Sequence, residues 1–330
     1  MYSNDKFPEE IIPGPHVEAH TLAFLQALNA VSTPELFDLS LAEARATISA
    51  EQTTFDLNQL PAVVEEVNIH VPDAHSITVH IIRPDKNVGA LPIVMYFHGG
   101  GWVLGDIATH ERLARQIAIG AEVAVVLVNY SRSPEFIYPT ALQEAYEATM
   151  WMAENGKVLH LDTTRIAVAG DSSGGNLATG VTLLAKQKGG PKLLLQLLFF
   201  PTLDHNFDTL SYRQYANGYF LTRAQMQWFW DEYVGTGVIR NEITVSPLRA
   251  TTEDLKGLPS ALIITAEHDV LRDEGEAYAR NLMTAGVTVT ATRYLGTIHA
   301  FMFLNNLWQT PAAKAAIAQA NEKIREVFDI

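Results

Sequence analysis

A succession of continuous apolar runs, each followed by a helical pattern, constrains this chain more than any other feature. PIVMYFH (92–98), AVVLVNY (124–130), RIAVAG (165–170), LLLQLLFFP (193–201) and SALIITAEHD (260–269) are strand-length and lack the alternation of a half-exposed strand. Helical patterns separate them: THERLARQIAIG, a stretch from Pro139 to Glu154, a stretch ending at Lys188, and DEGEAYARNLMTAG. A last strand, VTVTATRY, and a last helix over 311–328 close the chain. Strands that are apolar on both faces need cover on both, and the intervening helices supply it. The pattern therefore predicts an α/β fold: a mainly parallel sheet with helices on both faces and right-handed crossovers.

Two segments stand outside that alternation. Residues 16–50 read as two amphipathic helices broken at Pro34, and AVVEEVNIHV with SITVHIIRP reads as a strand pair around the turn-like PDAH. The aromatic stretch YRQYANGYFLTRAQMQWFWDEYV (212–234) is helical in pattern and falls between two sheet strands. It packs on the core or, with residues 1–50, forms a lid. Without a repeat, a low-complexity segment or a linker, residues 1–330 are expected to form one domain. Its core would span about 56–204 and 241–330, with an insertion covering it.

Composition narrows the function classes. The net charge of −14, with no long acidic run, argues against nucleic acid or an anionic membrane as a partner. The absence of cysteine excludes disulfides, thiolate metal sites and a cysteine nucleophile. MYSNDKFPEEIIPGP lacks the basic start and apolar stretch of a signal peptide, and no apolar run is long enough to span a bilayer. A cytoplasmic location is expected. His16 and His20, four apart, could share a metal, but no third ligand is evident; a helix surface is the expected reading, with no metal and no cofactor.

VAGDSSGGNLA (168–178) places two serines at the end of a strand run and the start of a helical one. In open α/β sheets ligands bind outside the carboxyl ends of strands. A serine exposed on a sharp strand-to-helix turn needs small neighbours two residues to either side, the pattern G-x-S-x-G. Ser172 meets it, with Gly170 and Gly174; Ser173 does not, because Asp171 lies two residues before it. A glycine-rich anion-binding turn is the competing reading, but GDSSGGN matches neither the dinucleotide fingerprint nor the lysine-bearing phosphate loop.

A serine hydroxyl needs a base, and on such sheets the partners follow in the order serine, acid, histidine. Beyond residue 172 the histidines are His205, His268 and His299. Asp269 ends an apolar run, and of the three histidines only His299 lies beyond it, so order and strand-end placement select Ser172, Asp269 and His299. Glu267 and Asp273 compete as the acid. Glu267 lies within or close to the strand, and Asp273 has the position of a helix cap. YFHGGGW (96–102) follows a strand with three consecutive glycines, whose backbone N–H groups can face a ligand. Gly100 and Gly101, with the N–H of Ser173, would form an oxyanion hole. Trp102, Tyr130, Phe220 and the rings at 228–230 are candidate pocket walls, with packing in the core as the alternative for each.

These residues resemble the hormone-sensitive-lipase-like carboxylesterases of the α/β-hydrolase superfamily, through HGGGWVLGD, NYSRSPE, GDSSGGN, SPL, DVLRDEG and IHAF. The resemblance runs from about residue 60 onward. It implies an eight-stranded sheet, a helical cap from about 1–50 and 205–240, and hydrolysis of short- to medium-chain acyl esters. It also implies Ser172 as nucleophile, Asp269 as acid, His299 as base, and Gly100, Gly101 and Ser173 at the oxyanion positions. His98 matches a loop-ordering histidine, and relatives often form homodimers through the last strand. Three positions depart from the family pattern. Ser173 replaces the usual alanine, with a hydroxyl whose effect the resemblance does not assign. Phe136 stands for a frequent histidine, and Val270 for a frequent proline. Amide or lactone hydrolysis by the same triad, or a binding protein with an inert pocket, are the alternative functions.

Overall fold

The computed structural model describes residues 16–31, 33–52, 54–70, 76–86 and 89–330. The PDAH turn and the first fifteen residues assigned to the lid lie outside them. One eight-stranded sheet organises the chain: β1 (Ala62–Ile69), β2 (Ile77–Pro84), β3 (Leu91–Phe97), β4 (Ala124–Asn129), β5 (Leu161–Asp171), β6 (Leu195–Phe199), β7 (Ser260–His268) and β8 (Val289–Ile298). The order is β1-β2-β4-β3-β5-β6-β7-β8. Strand β2 runs antiparallel to both β1 and β4, and every other pairing is parallel.

The helices are α1 (Ala19–Asn29), α2 (Leu41–Gln52), α3 (Ile107–Ala121), α4 (Thr140–Asn155), α5 (Ser173–Lys188), α6 (Leu210–Gln214), α7 (Arg223–Val234), α8 (Thr252–Leu255), α9 (Arg272–Thr284) and α10 (Pro311–Phe328). None among the described residues is long and apolar enough to cross a membrane. The break expected at Pro34 is wider than one residue. A short 3₁₀ turn, Leu36–Asp38, precedes α2. The helix begins only where Ser40 and Glu43 satisfy each other's backbone and side-chain groups, in the reciprocal pattern of a capping box.

The continuous apolar runs are explained by burial on both faces. In β3, Ile93, Met95 and Phe97 join one core layer, shared with Leu142, Ala145, Leu177, Val181 and Leu282 from α4, α5 and α9. The alternate residues Val94 and Tyr96 join the other, shared with Leu113, Ile117, Ile317 and Ile324 from α3 and α10. Successive side chains of a strand point to opposite faces, so a strand between two helical layers has no face on which a polar residue is favoured. The edge strands β1 and β8 instead carry many half-buried and exposed positions.

Because β3, β5, β6, β7 and β8 run parallel, their carboxyl ends share one edge of the sheet. His98–Gly101 follow β3, Ser172 follows β5, Asp269 follows β7, and His299 follows β8. The topology thus gathers residues as much as 201 positions apart in sequence.

Candidate active site

Ser172 sits between β5 and α5 with φ 53° and ψ −120°, a conformation disfavoured for a residue bearing a side chain. Backbone pairing holds it there: its N–H donates to the Phe199 carbonyl at 2.9 Å, and its own carbonyl accepts from Thr202 N–H at 3.1 Å. Both motif glycines are sterically required. A Cβ on Gly170 would lie 2.3 Å from the Gly174 carbonyl oxygen, and one on Gly174 would lie 2.0 Å from that of Phe97. The turn is therefore wedged between its own helix and the end of β3.

His299 Nε2 lies 3.1 Å from Ser172 Oγ, and His299 Nδ1 lies 2.8 Å from Asp269 Oδ2. The other carboxylate oxygen of Asp269 accepts the Leu271 N–H at 2.9 Å. Asp269 is 1% exposed, His299 5% and Ser172 7%, so all three are buried and the carboxylate is the driest of them. With Nδ1–H donated to the carboxylate, Nε2 is left as an acceptor facing the serine. The edge of Phe200 packs against the imidazole, ring centres 5.0 Å apart.

The rival residues are engaged elsewhere. Glu267 accepts the Gly296 N–H at 2.7 Å, and Asp273 accepts the Ser211 N–H at 2.8 Å while pairing with Arg272. His205 contacts Ser246 Oγ at 3.1 Å, and His268 stacks on Tyr215. His20 pairs with Glu18, whose carboxylate caps α1.

The glycine loop after β3 rests directly on the serine turn. Its first glycine is held from below: the Gly99 N–H donates to Asp171 Oδ1 at 3.1 Å, and the Tyr96 hydroxyl donates to the same oxygen at 2.8 Å. His110 Nε2 faces the other oxygen of Asp171 at 3.4 Å. Burial alone would raise the Asp171 carboxyl, but the facing His110 and the Tyr96 hydroxyl hold it below the ordinary range. Gly100 and Gly101 have φ of 112° and 62°, a region that glycine enters without penalty. The Gly99 amide is thus taken up by Asp171. The Gly100, Gly101 and Ser173 amides donate to no protein acceptor among the described residues.

His98 is fully buried, and burial followed by the nearby His110 pushes its pKa down to about 3. It is neutral, with Nδ1 2.8 Å from the Gly99 carbonyl and its ring stacked on Tyr130. This fits a loop-ordering residue. Trp102 and Tyr130 are also fully packed. Trp102 stacks on Tyr233 at 4.2 Å, and the Tyr130 hydroxyl donates to the His98 carbonyl at 2.7 Å. Phe220 is partly exposed, has φ 76°, and lies 6.1 Å from Phe24 of α1.

Sequence reasoning did not single out Asp171, His110 or Tyr96, and it named Phe229 only among the candidate pocket rings at 228–230. Asp171 stands inside the serine motif and could have been noticed as a carboxylate beside a buried turn. His110 and Tyr96 carry no local pattern that separates them from core residues. Phe229 of α7 packs so closely on Gly101 that a Cβ on that glycine would lie 2.1 Å from the ring.

A parallel sheet with a strained serine on the β5–α5 turn, and an acid and a histidine beyond β7 and β8, defines an α/β hydrolase. A family model described as alpha/beta hydrolase fold matches residues 94–303, and the chain belongs to that family, in its hormone-sensitive-lipase-like branch. The chain is 38% identical over 275 residues to the carboxylesterase NlhH of Mycobacterium tuberculosis, covering 83% of this chain and 85% of that one. It is 34% identical over 253 residues to the ethyl acetate hydrolase of Pseudomonas putida, covering 75% and 78%. Among solved structures, a thermostable esterase from Pseudomonas putida superposes with a TM-score of 0.94 at 49% identity, covering 96% of this chain and 99% of the other. A fungal esterase from Rhizomucor miehei superposes at 0.89 with 39% identity, covering 96% and 98%.

Proposed function

We propose that this protein is a serine carboxylesterase that hydrolyses short- to medium-chain acyl esters through an acyl-enzyme. The observation that carries the reading is the continuous chain Asp269–His299–Ser172, with contacts of 2.8 and 3.1 Å. Relatives named as carboxylesterase and ethyl acetate hydrolase support the substrate class.

In the first step the Ser172 Oγ–H proton passes to His299 Nε2 as Oγ bonds to the ester carbonyl carbon. Asp269 keeps the imidazole in the tautomer that can accept it and stabilises the resulting imidazolium. The carbonyl oxygen becomes an oxyanion, stabilised by the Gly100, Gly101 and Ser173 amides, and each such donor supplies about 10²–10³ in turnover. As the tetrahedral adduct collapses, the ester C–O bond breaks and Nε2–H protonates the leaving alcohol. Water then gives a proton to Nε2 as it attacks the acyl-enzyme carbonyl; the second adduct collapses, the Oγ–C bond breaks, Nε2–H returns the proton to Ser172 Oγ, and the acid leaves.

The described residues of the 1–50 segment, with 205–240, act as the cap. Asn29 of the first segment donates to the Gly218 carbonyl of the second at 3.1 Å, and Phe24 meets Phe220. Phe229 then presses the second segment onto Gly101.

The test is hydrolysis of p-nitrophenyl esters from acetyl to dodecanoyl by the wild type and Ser172→Ala. Activity that peaks at short chains and disappears in the variant is expected. Equal activity in both proteins would overturn the assignment of Ser172.

A further inference from the structure

The Ser173 hydroxyl links the two halves of the proposed oxyanion hole. Ser173 is fully buried in the first turn of α5, and its Oγ accepts the Trp102 N–H at 3.1 Å. At the other end of the loop the Tyr130 hydroxyl donates to the His98 carbonyl at 2.7 Å. The glycine loop is therefore held at both ends, by Tyr130 at His98 on its entry and by Ser173 at Trp102 on its exit. Gly99, Gly100 and Gly101 lie between those two anchors.

In this chain the tie acts on a strained loop. Gly100, Gly101 and Trp102 all have positive φ, and for Trp102 (φ 61°) that conformation carries a steric penalty. The Trp102 indole is held from the opposite side by Tyr233 at 4.2 Å and Trp230 at 5.2 Å, both on α7. Its amide is held by Ser173 alone among the described residues. Truncating Ser173 would leave a buried N–H without an acceptor, which the loop relieves by rotating its peptides. The peptides that rotate are the neighbours of the Gly100 and Gly101 amides.

We infer that Ser173 is a positioning residue: its hydroxyl fixes the Gly100 and Gly101 amides relative to its own amide, so that the donors converge on one oxyanion. The inference rests on the serine-esterase reading above. A misaligned donor acts on the transition state and not on the ground-state ester, so the loss falls on kcat and not on KM.

Ser173→Ala and Ser173→Cys separate the hydrogen bond from the volume, since sulfur fills the site but accepts weakly. For both variants kcat is expected to fall roughly tenfold, less than the about 10²–10³ lost with a whole donor. KM should stay within about twofold. Inhibition by an alkyl trifluoromethyl ketone, whose carbonyl becomes an oxyanion when Ser172 Oγ adds to it, should weaken by the same factor as kcat. Unchanged kcat and unchanged ketone affinity in Ser173→Ala, with an active wild type and an inactive Ser172→Ala, would overturn this inference alone. So would a Ser173→Cys variant with wild-type kcat. An inactive wild type would overturn the esterase reading and this inference with it.

Discussion

At the residue scale, the site is a set of side chains whose ordinary preferences are overridden by neighbours. Ser172 tolerates φ 53° because Phe199 and Thr202 hold both of its backbone polar groups. His98 is the clearest electrostatic case. Its pKa lies well below the unfolded value of 6.5, at about 3. The unfolded chain therefore binds a proton in that window that the folded chain does not, and stability falls as pH drops from about 6.5 toward 3. The full loss from this one residue is on the order of a few kcal/mol. In His98→Asn, which keeps a donor for the Gly99 carbonyl, the difference in urea-unfolding free energy from wild type should shrink as pH falls through that window. A constant difference from pH 7 to 4 would show that His98 is not held neutral. The Asp171 carboxyl, lowered by His110 and Tyr96, adds its own loss only below about 3.8.

At the element scale, α7 backs the glycine loop. Phe229 lies against Gly101, and Tyr233 and Trp230 enclose Trp102. Phe229 is 5% exposed, so Phe229→Ala should leave a void and cost about 3 kcal/mol. It should also lower kcat, because the void opens against a glycine of the proposed oxyanion hole. Urea unfolding and steady-state kinetics check the two parts; a destabilised variant with unchanged kcat would separate α7 from the site. The aromatic stretch was legible as helical, but not as this contact. Its rings have the same spacing as any core-facing helix, and what they meet is a loop more than a hundred residues earlier. The strand runs were legible because burial on both faces removes every polar position. The start of α2 was not, because Ser40 and Glu43 cap it after a 3₁₀ turn that a helical pattern does not distinguish.

At the scale of the whole molecule, the parallel sheet brings separate loops to one edge. Ser172, Asp269 and His299 could be ordered from sequence, since each follows a strand pattern and only one histidine lies beyond the acid. The support beneath them could not. Asp171, His110 and Tyr96 come from β5, α3 and β3, and meet only because β3 and β5 pair in register with Tyr96 opposite Ala169. Similarly, the Ser173 hydroxyl acquires a role only through the loop that folds onto it.

The central claim is that ester cleavage passes through a covalent bond to Ser172. The most direct measurement is mass spectrometry of the enzyme acid-quenched during turnover of p-nitrophenyl butyrate, followed by peptide mapping. One butyryl group on the peptide containing Ser172, absent in Ser172→Ala and long-lived in His299→Ala after slow acylation, is the predicted result. Turnover with no acyl group on that peptide, or with the group on another residue, would contradict the account.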